Sequence, residues 1–456
     1  MLRGSLLPDA AAGPVLDTRI LLFASLVTLA TAVLAGSAPA YQASARDLSS
    51  ALKSGEREGR LPRSATRTSL LVGQVALTLV LLTGAGLFLS SLRHVERLRL
   101  GFDADRLIVA SVDFRGLGYK RAGIDALYQQ MRDRVKAVPG VTGASLAIGD
   151  PFRNVYVVPL EVPGLDSAAR VQTGGPYVAA VTPDYFRTMG TAVRRGRAFG
   201  TTDIAGAQRV AVVNETMARL YWPGEDPVGK CLKVGGGTSP CTAVIGVVED
   251  TRHGRVTDDV MVQYFIPLAQ ANSVMQWPVS ALLVRSARSA ADLVGRVRRA
   301  VQGTSPELPY PIVDPMPQLL AWQLRPWRLG SALLSLFGAL GLTLAAIGLY
   351  GVLSYLVSQR TPELGVRMAL GADAGDVRRL VMAQGLRVVG AGVLIGTVAA
   401  LAAGRAIASL LYGVTSHDPL VLSVVIGVLG AVAAVASYLP ARRATRVDPM
   451  VVLRYE

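Results

Sequence analysis

Gly224-Glu-Asp-Pro-Val-Gly229-Lys230 fills the first seven positions of the phosphate-cradling pattern G-x-x-x-x-G-K-[ST]. In that pattern backbone N–H groups wrap a phosphate, the lysine neutralises it, and a hydroxyl at the eighth position holds magnesium. Here the eighth residue is Cys231, which has no hydroxyl, and Pro227 removes one donor. The segment reads as a turn. Cys231 and Cys241 bracket Leu-Lys-Val-Gly-Gly-Gly-Thr-Ser-Pro between strand-like runs, so a disulfide closing a hairpin and two free thiols both fit. His94, His253 and His417 fall in three separate regions, which leaves no metal ligand set. Neither H-E-x-x-H nor G-x-S-x-G is present, and hydrolysis would need the fold to bring Ser145 or Cys231 against His253. No catalytic, cofactor or metal residue is assigned.

A second group carries a helix signal rather than chemistry. Thr361-Pro-Glu363 is a helix start, with Thr as N-cap, Pro at the first helical position and an acid in the first turn. Glu363 and Arg367 form an i,i+4 pair, Leu364 and Met368 share a face, and Gly371 supplies a stop. The product is a short amphipathic helix, able to lie on a bilayer surface or to fill a cleft in a soluble partner.

These groups sit in an unusually apolar chain of 456 residues, 51% hydrophobic and 17% charged, with a mean hydropathy of +0.39. Soluble domains carry about 25% charged residues, so this is an integral membrane protein. The net charge of +15 then belongs to loops flanking spans rather than to a nucleic-acid surface. A span needs about 20 apolar residues, and residues 20–39, 70–92, 329–357, 388–410 and 419–440 qualify. Asp9 and Asp17 precede the first of these and argue against a signal peptide. Arg405 interrupts the fourth, where its long stem can carry the charge to an interface. Gly338, Gly341 and Gly348 read as close helix contacts.

Arginine and lysine crowd residues 40–69, 358–387 and 441–456, while the turn at 411–418 has none. The positive-inside rule places those three segments in the cytoplasm, with 1–19, 411–418 and the long 93–328 segment outside. Arg93, Arg97 and Arg99 then stand outside against the rule, which long translocated domains largely escape. The 93–328 segment can bury a core of its own. Runs at 107–113, 155–162, 210–213, 243–248 and 281–284 predict strands, and 125–138 and 290–301 have helical spacing. The fold class is membrane α-helical, with about five transmembrane helices and an inserted α+β extracytoplasmic domain.

Pro39-Ala40-Tyr-Gln-Ala43-Ser44-Ala-Arg-Asp47, then Leu52-Lys53, is echoed by Pro440-Ala441-Arg-Arg-Ala444-Thr445-Arg-Val-Asp448, then Leu453-Arg454. The constant offset predicts a duplicated unit. The first span is then the final helix of an earlier copy whose remainder is absent, through truncation or a shortened gene.

Ala346-Ile-Gly-Leu-Tyr-Gly-Val-Leu-Ser-Tyr355, Gln359-Arg-Thr-Pro-Glu-Leu-Gly-Val-Arg-Met-Ala-Leu-Gly-Ala372 and His417-Asp-Pro-Leu420 resemble the MacB/FtsX-type permease domain of ABC systems. So does Tyr438-Leu-Pro-Ala-Arg-Arg-Ala-Thr-Arg-Val-Asp-Pro-Met450. Val181-Thr-Pro-Asp-Tyr-Phe-Arg-Thr-Met-Gly190, Val212-Val-Asn-Glu215 and Trp222-Pro-Gly-Glu-Asp-Pro-Val-Gly229 resemble the periplasmic core domain of that family. With the internal repeat, they are most similar to its duplicated orphan permease branch. The resemblance implies four spans per copy, the outer domain between the first two, and no nucleotide site in this chain. It implies mechanotransmission, in which a separate ABC ATPase pulls on the helices and moves the outer domain. Glu363, Gly365, Arg367, Met368 and Gly371 become the candidate ATPase contacts. It also implies a second permease copy or homodimer in a bacterial plasma membrane, with a periplasmic adaptor or outer-membrane channel as further partners. The competing reading is a non-transporting membrane sensor or envelope scaffold, and dependence on an ATPase separates the two.

Overall fold

A computed structural model describes residues 21–22, 25–26, 28–33, 62–165, 175–359, 363, 373–415 and 417–445. The chain divides into two units, residues 1–67 and 68–456. Of the first expected span, the described residues are helical and exposed, and the rest lies outside the described residues, as does the 39–53 half of the internal repeat.

Four helices among the described residues are long and apolar enough to cross a membrane. They are α1 (Pro62–Glu96), α6 (Met316–Gln359), α7 (Ala374–Ala406) and α8 (Pro419–Ala444). The start of α8 follows from local chemistry: Asp418 Oδ1 accepts from the Leu420 N–H at 2.9 Å, and Pro419 takes the first helical position. Small residues set the spacing between helices. A Cβ added at Gly338 would lie 2.6 Å from Leu82, and one at Gly341 2.8 Å from Thr78 Oγ1. α6 therefore runs antiparallel against α1 at close range, as packing in lipid favours. Gly392 meets Val75 and Gly396 meets Ala76, which lays α7 parallel beside α1.

Between α1 and α6 in the chain lies a twelve-stranded mixed sheet in the order β12 (Ile312–Pro315)-β1-β11-β2-β5-β10-β7-β9-β8 (Cys231–Val234)-β4 (Leu160–Glu161), with β3 (Tyr156–Val157) paired to β5 and β6 (Val193–Gly196) to β9. Its central strands are β1 (Leu107–Ser111), β11 (Ala281–Ser286), β2 (Val141–Ile148), β5 (Tyr177–Val181), β10 (Gln263–Pro267), β7 (Val210–Asn214) and β9 (Thr242–Val248). Pairing is antiparallel except for β5 with β10 and β7 with β9. Period-two alternation divides each strand between two cores. Ile108 and Ala110 face one, Leu107 and Val109 the other. The first core is covered by α2 (Arg121–Lys136), whose Ile124, Tyr128, Met131 and Val135 form a single stripe, and by α5 (Val294–Gln302) through Val297 and Val301. The second is closed by α3 (Tyr185–Met189), with Tyr185 and Phe186 against Phe265.

The expected strand at 155–162 is two short pieces, β3 (Tyr156–Val157) and β4 (Leu160–Glu161), separated at Pro159, which has no N–H for a ladder. Strands β2, β5 and β10 were not expected from sequence.

Candidate functional site

Both helices that enter the membrane from the sheet do so from neighbouring strands. β12 (Ile312–Pro315) runs into α6 at Met316 with no loop between them, and α1 reaches β1 through residues 97–106. β1 and β12 are paired antiparallel, Ile108 opposite Pro315 and Ser111 opposite Ile312. At about 1.5 Å per residue, the 44 residues of α6 measure roughly 66 Å along the helix axis, with Pro326 inside the helix near its domain end. The helix ends at Gln359, two residues before Thr361, where the sequence starts the short amphipathic helix with the candidate ATPase contacts.

A joint surrounds the domain end of these helices. Ser91, fully buried in α1, donates from Oγ to the Tyr412 carbonyl at 3.1 Å and accepts the Tyr412 N–H at 2.8 Å. Trp327 Nε1 donates to the Leu410 carbonyl at 3.0 Å, and Arg328 pairs with Glu96 at 3.1 Å. Both turn residues belong to the connection between α7 and α8, which is thereby tied to α1 and α6 together. From the sheet domain, the Val256 N–H donates to Gln323 Oε1 at 2.8 Å. Leu92, Val95, Val256 and Leu324 complete the joint as a buried apolar cluster with Phe152 against it.

Phe152 links this joint to a buried acid. It is the one non-glycine residue with positive φ among those described, at +65°, a conformation that costs a side-chain-bearing residue of order 1–3 kcal/mol. Its N–H donates to the His253 carbonyl at 2.5 Å. Two residues earlier, Asp150 is fully buried. Its Oδ1 accepts from Asn154 Nδ2 at 2.8 Å and Ser280 Oγ at 3.4 Å, while Oδ2 has no partner. Burial pushes the Asp150 carboxyl up to about 6 against these hydrogen bonds. Burial pulls His253 down to about 4. One residue on, Arg153 bonds Ser111 Oγ at 2.7 Å and Asp314 Oδ2 at 2.5 Å, fastening the turn to β1 and to the strand that becomes α6.

Of the expected coupling residues, Glu363 is helical and exposed, and Gly365, Arg367, Met368 and Gly371 lie outside the described residues. The P-loop-like segment is a turn between α4 (Glu215–Tyr221) and β8 (Cys231–Val234). The Gly229 N–H donates to the Val244 carbonyl at 2.7 Å, and Lys230 is paired with Glu225. A phosphate cradle opens onto a helix with free N–H groups, and this turn opens onto a strand. His253 Nδ1 lies 3.1 Å from Thr251 Oγ1, Ser145 Oγ is buried without a partner, and no hydrogen bond joins the two among the described residues. Cys231 and Cys241 are joined at a Cα separation of 5.4 Å. Replacing both with serine is expected to destabilise the sheet domain by about 2–3 kcal/mol, checked by denaturant unfolding with and without reductant. Equal stability of the two forms would refute the crosslink.

The joint residues carried no motif in the sequence. Their signal was indirect: a helix longer than its apolar run, and Trp, Gln and Arg interleaved just before it.

The model for the MacB-like periplasmic core domain matches residues 66–301. The chain belongs to that family. The FtsX-like permease C-terminal model matches residues 335–449, so the sheet domain and the last three spans of this MacB-like chain fall under two adjoining family descriptions. One curated relative, "Macrolide export ATP-binding/permease protein MacB 2" of Aeromonas hydrophila, is 26% identical over 348 residues, covering 74% of this chain and 50% of its own length. Another, "Probable syringafactin export ATP-binding/permease protein SyfD" of Pseudomonas syringae, is 28% identical over 284 residues, or 60% of this chain and 42% of the relative. The chain thus spans about half the length of the curated relatives it matches. Among solved structures, the periplasmic region of MacB from Actinobacillus actinomycetemcomitans aligns at 11% identity and a TM-score of 0.35, covering 50% of this chain and 95% of that one.

Proposed function

We propose that this chain is the permease subunit of an ABC-type exporter or mechanotransmission complex. A separate ATPase engages the Glu363–Gly371 segment at the cytoplasmic face, and its closure is relayed along α1 and α6 to the sheet domain on the opposite side. The observation that supports this best is the unbroken path from β12 through α6 to Gln359, held laterally by the joint at Ser91, Gln323 and Trp327. The relatives' names, which combine ATP binding, permease and export, support the same reading.

The test is performed in membranes holding the full chain and its partner ATPase. Spin labels at Tyr310 in the sheet domain and Leu394 in α7, both well exposed, are expected to change separation when ATP is added. Leu324→Asp puts a charge into the buried joint and should abolish that change while ATPase binding persists. Arg367→Glu should weaken ATPase binding by about tenfold or more. An ATPase whose binding and turnover ignore this chain, together with an unaffected Arg367→Glu variant, would overturn the reading.

A further inference from the structure

The mechanical path leaves one feature unused. Arg93, Arg97 and Arg99 follow the last apolar turn of α1, and Arg405 lies in the last turn of α7. All four are exposed, and among the described residues none is paired with a carboxylate. Glu96, in the same stretch of chain, is already neutralised by Arg328 at 3.1 Å. Arg325 lies over the Trp322 ring at 3.4 Å, and Trp327 stands a turn further along α6.

Arg93 and Arg405 share one level, and Arg97 and Arg99 follow on the sheet-domain side of it. The charge-free run from Leu70 to Leu92 matches a hydrocarbon core of about 30 Å, so Arg93 emerges among headgroups. α7 lies parallel to α1, and its following turn is bonded to Ser91, which brings Arg405 to the same rim. A guanidinium there presents a planar fork of donors that fits a phosphate diester, and tryptophan rings favour the same layer.

We propose that this rim docks anionic phospholipid headgroups of the leaflet facing the sheet domain. The arginines take the phosphates, and Trp322 and Trp327 set the depth. Arg93 follows Leu92 of the joint and Trp327 belongs to it, so the joint borders a lipid layer of defined charge.

The test reconstitutes the full chain into phosphatidylcholine carrying a shallow chain nitroxide, which quenches Trp322 and Trp327. Unlabelled phosphatidylglycerol or phosphatidylcholine is then added, and the relief of quenching gives their relative association. Phosphatidylglycerol is expected to associate at least about fivefold more strongly at low salt, falling towards parity near 1 M salt, where screening acts over only about 3 Å. Combined Arg93→Gln, Arg97→Gln, Arg99→Gln and Arg405→Gln should remove the preference. Arg442→Gln with Arg443→Gln, at the opposite end of the spans, should keep it. Parity in the unmodified protein at low salt overturns the proposal whatever the folding of the variants. So does a preference that the four-residue variant retains, or relief by inorganic phosphate at constant ionic strength equal to that by the lipid.

Discussion

Leucine at position 396 is expected to separate α1 from α7 and to cost the membrane domain about 3 kcal/mol, the upper part of the range for overpacking. A Cβ at Gly396 would fall 2.9 Å from both the Cα and the carbonyl oxygen of Ala76, and 3.1 Å from Leu79 Cβ. Two of those atoms are backbone, so no rotamer change relieves the clash. The helices themselves must move. Gly351→Leu in α6 is the control, since nothing lies within 4 Å of its added Cβ; a helix former there should be neutral or mildly stabilising. Thermal unfolding in detergent separates the two outcomes. Equal midpoints for both variants would mean that α1 and α7 are not in backbone contact. Since the turn after α7 forms part of the joint, the proposed relay carries the further expectation that Gly396→Leu suppresses ATP-driven displacement of the sheet domain.

The second large effect concerns Asp150. Its carboxyl is raised from 3.8 to about 6 in the fold, so the native state holds the proton more tightly than the unfolded chain does. Stability from this group is therefore complete below pH 3.8, is lost as pH rises through 6, and stays lost above it. Asp150→Asn keeps the shape and an oxygen for Asn154 but cannot ionise. At neutral pH it is expected to stabilise the sheet domain by about 2–3 kcal/mol, the gap from the unmodified protein closing as pH falls towards 4. His253 has the opposite sign. Lowered from 6.5 to about 4, it contributes stability that is present above pH 6.5 and lost as pH falls towards 4. Denaturant unfolding across pH, followed through Trp222 and Trp277, should show the acid limb weakened in His253→Gln and the neutral limb raised in Asp150→Asn. An Asp150→Asn variant no more stable than the unmodified protein at pH 7.5 would show that the ionised carboxylate is satisfied in the fold.

What the sequence disclosed followed from how strongly each element is driven locally. The four described spans are announced by composition, because lipid demands it over their whole length. β7 and β9 are dense in valine and stand out, whereas β2, Val-Thr-Gly-Ala-Ser-Leu-Ala-Ile, is built of small residues whose strand character comes from lying between β11 and β5. β5 and β10 are held by a parallel pairing across 86 residues of chain, which no local pattern encodes. Helix ends were hidden for a related reason: α1 and α6 continue beyond their apolar runs into residues that are polar because they leave the lipid. The joint was invisible, since Ser91 and Tyr412 are separated by 321 positions and neither residue type signals a contact. The Gly224–Lys230 match shows the converse, a pattern without its context, since a strand follows where a helix is required.

The pairing of β12 with β1 determines which motions the two membrane helices can pass on. α6 continues β12 and α1 feeds β1, and four residue pairs hold those strands side by side. If both helices travel the same way, the strands move together and the domain is carried whole. If they travel oppositely, β12 must slip along β1, and ladder bonds perpendicular to the slip have to break together rather than one after another. The strand pair thus passes common displacement and resists differential displacement, so under the proposed relay the motion reaching the domain is a shift or tilt rather than an internal distortion.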